Sequence, residues 1–117
     1  MGKPRQERLA ERKQRIVGRL PKLEEVVRGT FIRVYLECMR PHCKCHTSSR
    51  YRHGPYYRIS YGKGNRVHHV YVPVAWKGKA KEWTENYRKV WKGIEAISAV
   101  NLGLLKVRVG HRRRRGG

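Results

Sequence analysis

The chain has 117 residues, with 29 Lys and Arg against 8 acidic residues, all of them Glu, and a formal net charge of +21. A chain so unbalanced repels itself when compact unless a polyanion shares the charge, so nucleic acid is the expected partner and an anionic membrane surface comes second. No apolar run approaches the ~20 residues of a membrane-spanning helix, and the polar start MGKPRQERLAERKQ is not the pattern of a secretory signal.

Residues 3–28 are expected to be helical, in two pieces. Leu9, Ile16, Leu20, Leu23 and Val27 recur at helical spacing, and Arg5, Arg8, Arg12, Arg15, Arg19 and Lys22 step by three and four beside them. This sets a cationic ridge next to an apolar one. Gly18 and Pro21 divide the two pieces, and Gly29 is placed to cap the second. A solvated face is the ordinary reading of such a ridge; six cations in register favour phosphate contact instead.

TFIRVYLEC alternates, with Ile32, Val34 and Leu36 on one face and Arg33, Tyr35 and Glu37 on the other, as a half-buried strand does. YYRISY and RVHHVYV read as two more strands, joined by the Gly-rich turn GKGN. A three-stranded antiparallel meander follows, with a cysteine-containing loop between its first two strands. From about Lys79 a long helix is expected. Its seam of Trp83, Tyr87, Val90, Ile94, Ile97, Asn101 and Leu104 steps alternately by four and three. Packing within the chain is the simpler use of that seam; the other is a coiled-coil module at residues 83–104 that forms a homodimer or binds a partner. The end HRRRRGG has no apolar content and is expected to be disordered. The fold class is therefore α+β: a small stapled meander flanked by a basic N-terminal helix and a long amphipathic C-terminal helix.

Cys38, Cys43 and Cys45 form C-x4-C-x-C, and an odd cysteine count without an export signal suits a reducing cytoplasm better than a disulfide framework. Three thiolates suit Zn2+, and one nitrogen ligand would close a tetrahedron with no position left for a reactive water. His53 is the first choice, because seven intervening residues permit a return loop. His42, His46, His68 and His69 remain alternatives. The zinc would then be structural, which suits a chain too small to bury a large core.

LPKLEEVVRGTF, CMRPHCKC, RHGPYYRISYGKGNRVHHVYVP and ENYRKV together resemble a family of small bacterial and archaeal proteins of unknown function. Its pattern is C-G-K-P-x-C-x-C, then H-G-P-Y and a Val-Pro-ended hairpin. Met39 and Arg40 stand here in place of Gly-Lys, while Pro41 and the three cysteines match. The resemblance spans residues 20–105 and implies a zinc-ribbon-like hairpin between helices, His53 as fourth ligand, and an association with DNA. It divides the chain into a basic arm at 1–19, a core at 20–105 and a basic tail at 106–117.

Catalysis has little support. Asp is absent, and Ser48 and Ser49 accompany no recognisable base. Nucleic-acid binding has more. Besides the first helix, the sheet region carries Arg50, Arg52, Arg58, Lys63 and Arg66, and the tail carries Arg112, Arg113, Arg114 and Arg115. Tyr51, Tyr56, Tyr57, Tyr61 and Tyr71 are interleaved with the sheet cations. Cations hold phosphate without reading sequence, and tyrosines stack on unpaired bases. DNA is the favoured partner, with structured RNA of a ribosome the alternative. The expected location is the cytoplasm, on the nucleoid or the ribosome.

Overall fold

The structure is a computed structural model that describes residues 4–116, with side chains described for 4–106. In chain order it contains helix α1 (Arg5–Gly18), strands β1 (Thr30–Leu36), β2 (His53–Lys63) and β3 (Arg66–Val72), and helix α2 (Lys77–Gly116). Short 3-10 turns occupy Leu23–Glu25, Lys44–His46, Ser49–Tyr51 and Val74–Trp76. The architecture is α+β, as the periodicities require.

Two compact units result: Met1–Glu24 with Arg88–Gly117, and Glu25–Tyr87.

In the first unit, α1 begins after Pro4, whose carbonyl accepts the Arg8 N–H at 3.1 Å. Glu7 in the first turn and Arg15 in the last complement the helix dipole. The helix closes with Arg19 N–H on the Ile16 carbonyl and Leu20 N–H on the Val17 carbonyl. α1 runs antiparallel to the later part of α2: Leu9 lies beside Gly103, Lys13 Nζ donates to Asn101 Oδ1 at 2.9 Å, and Ile16 and Leu20 lie over Gly93. A Cβ at Gly93 would run into Leu20 Cδ2, so the absent side chain lets α1 approach closely.

The seam expected along α2 holds in part, with Trp83, Tyr87, Ile97 and Leu104 half-buried. Val90, Gly93 and Val100 are buried, whereas Ile94 is 47% exposed and Asn101 is exposed. A straight helix repeats every 3.6 residues and drifts off a strict alternation of four and three. Small residues make the closest approach, and a count of large apolar residues passes over them.

The second helical piece expected over residues 21–28 is also corrected: only the turn Leu23–Glu25 forms. Pro21 offers no N–H, and in the second unit the following backbone is held sideways. Val27 N–H donates to the Trp83 carbonyl at 3.0 Å, and Asn86 Nδ2 donates to the Glu25 carbonyl at 2.9 Å. Those groups are therefore unavailable for an i to i−4 ladder. The helix expected over residues 3–28 shortens to α1; residue 3 lies outside the described residues.

The second unit also holds the meander, in the order β1-β2-β3 and antiparallel throughout. Phe31 pairs with Ile59 and Arg33 with Tyr57 on one face; Ile32 pairs with Arg58 on the other. β1 exposes Arg33 and Tyr35 and half-buries Ile32, Val34 and Leu36, as its alternation predicts. Gly64, at φ +64°, opens the turn into β3. Ile59 is buried at the centre of β2.

Gly29 approaches that residue: a Cβ there would stand 2.5 Å from Ile59 Cγ2 and 3.0 Å from the Ser60 carbonyl oxygen. Gly29→Ala is expected to cost about 1–3 kcal/mol through overpacking. Gly62→Ala, with nothing within 4 Å of its Cβ and no positive φ, should be neutral or stabilising. Denaturant titration of both variants compares them, and equal stability would show that the Gly29 contact relaxes freely.

Candidate metal centre

The register irregularity between Val34 and Leu36 shapes this site. It carries the pairing from Val34↔Tyr56 to Leu36↔His53, so the end of β1 lies against the start of β2. Gly54 makes this close approach feasible at φ +139°; a Cβ there would stand 2.9 Å from the Val34 carbonyl oxygen and 3.1 Å from Tyr35 Cδ1. Cys38, two residues past Leu36, thereby comes beside His53.

The intervening loop folds back through short-range hydrogen bonds. Cys43 N–H reaches the Arg40 carbonyl at 3.3 Å, His46 N–H the Cys43 carbonyl at 3.2 Å, and Thr47 N–H the Lys44 carbonyl at 2.9 Å. Thr47 Oγ1 bonds the Lys44 carbonyl as well, at 2.6 Å. Cys43 and Cys45 are thus returned to the end of β1, where Cys38 N–H donates to Cys45 Sγ at 3.3 Å.

Cys38, Cys43, Cys45 and His53 present four donor atoms, all within 4.8 Å of one another. The Cys38 and Cys45 sulfurs are 3.6 Å apart, and Cys43 Sγ lies 3.3 Å from His53 Nε2. A tetrahedral ion with metal–sulfur bonds of about 2.3 Å and metal–nitrogen bonds of about 2.0 Å spaces its ligands by roughly 3.5–3.8 Å. The four residues could therefore hold a metal ion, and they fit it without a large rearrangement. All three cysteines are free thiols.

Their environments differ. The Cys45 backbone N–H and then the His53 imidazole lower the Cys43 thiol from 9.0 to about 6. Burial pushes the Cys45 thiol up from 9.0 to about 11; only 1% of that residue is exposed. Cys43 is therefore the ready thiolate of the set, while Cys45 must surrender a proton to an arriving cation.

The other histidines are engaged elsewhere or lie outside the group. His46 Nε2 lies 2.8 Å from the Arg40 carbonyl and Nδ1 lies 3.2 Å from Glu37 Oε2. The Arg40 carbonyl, and after it Glu37, hold His46 above its ordinary pKa against the opposing effect of burial. His68 stacks on Tyr61, and His69 Nδ1 lies 2.7 Å from Ser60 Oγ. His42 lines a shallow depression with Arg40, Pro41 and Cys43. The strapping of His46 by Glu37 and Arg40 has no signal in the sequence, because it arises where the loop turns back.

The cations expected to meet nucleic acid do not form one cluster. Arg5, Arg8, Arg12 and Arg15 are exposed on α1, and Arg19 and Lys22 are exposed after it. Arg12, Arg15 and Arg19 line one groove of the first unit with Ile16 and Ala96. Arg50 and Arg52 are exposed in the cysteine loop, Lys63 pairs with Arg66 at the β2–β3 turn, and Arg58 is half-buried on β2. The side chains of Arg112, Arg113, Arg114 and Arg115 lie outside the described residues; the backbone of α2 is helical as far as Gly116.

His53→Ala should abolish stoichiometric metal binding, whereas His46→Ala should leave one ion per chain, measured by elemental analysis of purified protein. Equal loss in both would disprove the four-residue assignment. With chelator present, iodoacetamide should modify Cys43 before Cys45, with a half-maximal rate near pH 6 because the thiolate reacts; metal should protect both.

A family model described as Domain of unknown function (DUF6788) matches residues 6–82. The match takes in nearly all of α1, the whole sheet and the cysteine loop, and ends in the first turns of α2, so it starts and stops earlier than the resemblance at 20–105. No curated protein and no solved structure matches the chain. On the extent of that match, the chain belongs to the DUF6788 family.

Proposed function

We propose that this protein is a non-catalytic nucleic-acid-binding protein whose partner is DNA and whose Cys3His group holds structural Zn2+. The observation that carries the binding reading is the groove lined by Arg12, Arg15 and Arg19. None of the three guanidinium groups has a hydrogen-bond or ion-pair partner among the described residues. Three like charges gathered on one concavity repel one another, and an anion that enters relieves the repulsion. Along a helix, Arg12 to Arg19 spans about 10.5 Å, close to the axial rise of three phosphates on one strand. Guanidinium groups also present paired donors that match phosphate oxygens.

Zinc is the metal that best suits three thiolates and an imidazole in a tetrahedron. Cys38, Cys43, Cys45 and His53 would fill its coordination shell, so the ion would staple the end of β1 to the start of β2. It would supply stability there rather than a reactive water. Free thiols agree with a reducing compartment such as the cytoplasm.

Structured RNA is the second reading, favoured by the Arg112–Arg115 run beyond the groove. Competition between duplex DNA and a hairpin RNA of equal charge ranks the two.

The groove is tested by the salt dependence of binding. Replacing Arg12, Arg15 and Arg19 together with Ala should reduce the slope of log affinity against log salt by about 2.7 for duplex DNA, since each phosphate contact contributes about 0.9. An unchanged slope in a protein with unchanged melting would remove the groove from the interface. The purified protein should contain one zinc per chain, and a different metal or none would overturn that assignment.

A further inference from the structure

The five tyrosines interleaved with the sheet cations divide into two groups. Tyr57 stacks on Phe31 with ring centroids 5.6 Å apart, and Lys77 Nζ lies 5.1 Å from the centroid of the same ring. Tyr61 stacks on His68 at 5.4 Å. Lys44 and Arg50 both lie over Tyr51, at 5.8 and 5.2 Å. These three rings have found partners inside the chain.

Tyr56 and Tyr71 have not. Neither side chain has a ring contact or a hydrogen-bond partner among the described residues, and the two residues are 45% and 61% exposed. Tyr71 pairs with Arg58 across β2 and β3. Side chains alternate along a strand, so Tyr56, Arg58 and Tyr71 share one sheet face. The two tyrosines also line one groove with Pro55, Pro73 and Val74. Diagonal neighbours on a sheet face stand about 7–8 Å apart, roughly twice the ~3.4 Å rise between successive bases of a strand.

Charge selects the occupant. Arg58 adjoins both rings on that face, opposite Tyr71 and two residues from Tyr56 on β2, and its Nε is buried with no hydrogen-bond partner. Arg52 is exposed just before β2, and Lys63 and Arg66 are exposed where it turns into β3. The patch therefore combines free aromatic faces with cations, and the chain as a whole carries +21. A ligand that complements it is anionic and planar at once. Duplex nucleic acid keeps its bases stacked on one another and offers mainly phosphate; an unpaired strand offers both phosphate and base faces.

We propose that Tyr56 and Tyr71, with Arg58 beside both, form a stacking site for the unpaired bases of a nucleic-acid strand. This rests on the nucleic-acid reading above and names the form of the polymer that the sheet accepts. Each ring would take the face of one base while the cations at either end of β2 hold the phosphates. Stacking requires no base-edge hydrogen bond, so the site tolerates any sequence.

The test uses the full-length, metal-loaded protein with a 20-nucleotide oligothymidine, an oligouridine of the same length and a 20-base-pair duplex. Tyr56→Ala with Tyr71→Ala should weaken single-strand binding by about a hundredfold, or tenfold per ring. Duplex affinity and the salt slope should not change, since no charge is removed. Tyr56→Phe with Tyr71→Phe should retain wild-type affinity, which separates the ring from the hydroxyl. Photo-crosslinking to an iodouracil-containing strand should label peptides that carry Tyr56 or Tyr71. If the alanine variant binds the single strand as well as wild type does, the stacking site is refuted while the nucleic-acid reading stands. If single-strand and duplex affinities fall together, the tyrosines act through the fold and the site is likewise refuted. Should the wild type bind none of the three polymers at 100 mM salt, the nucleic-acid reading fails and this site with it. A preference between oligothymidine and oligouridine would identify DNA or RNA as the source of the strand.

Discussion

The close approach of the end of β1 to the start of β2 is the constraint on which the centre of this protein depends. One irregular step after Val34 and a glycine at φ +139° bring Leu36 opposite His53. Without that step a regular register would set Leu36 opposite Gly54 instead of His53, and Cys38 would meet a different part of β2. With it, the loop hydrogen bonds at Arg40, Cys43 and Lys44 return two more sulfurs to the same place. The gathering of the four donor atoms is thus a consequence of backbone geometry, and an ion bound there would in turn hold that geometry.

Charge is the second constraint, and both units carry it. The described cations are spread over α1, the cysteine loop and the ends of β2 instead of being neutralised by acids. Eight Glu cannot pair with 29 Lys and Arg, and one of those Glu, Glu37, is committed to His46. A molecule organised this way gains stability when an anion binds, because binding relieves the repulsion that folding imposes.

The two units use small residues in different ways. In the helix pair, Gly93 and Gly103 let Leu20, Ile16 and Leu9 approach the α2 backbone. In the sheet unit, Gly29 passes close over Ile59, and Gly54 passes beneath the Val34 carbonyl. Gly29, Gly54 and Gly93 each mark a place where a backbone comes nearer than a side chain would allow. Proteins of this size bury little apolar surface, so such close approaches stand in for a larger core.

Much of the fold was legible in the sequence, for a physical reason. Alternation of Ile32, Val34 and Leu36 with Arg33 and Tyr35 follows from the pleat of a strand, and α1 follows from the helical spacing of its apolar residues; both patterns are local. The ligand set was partly legible, since three clustered thiols narrow the chemistry to a soft cation, but five histidines stood within reach along the chain. Which of them would come beside Cys43 depended on a register step that no residue pattern announces. The second helical piece failed because Val27 and the Glu25 carbonyl bond to α2 residues some sixty positions away. The α2 seam shifted because packing is closest at glycines, which a search for large apolar residues ignores. The five tyrosines look alike in sequence. On the sheet, the pairing decided which rings stack inside the chain and which remain open, because ring partners such as Phe31 and His68 are cross-strand neighbours and not neighbours along the chain.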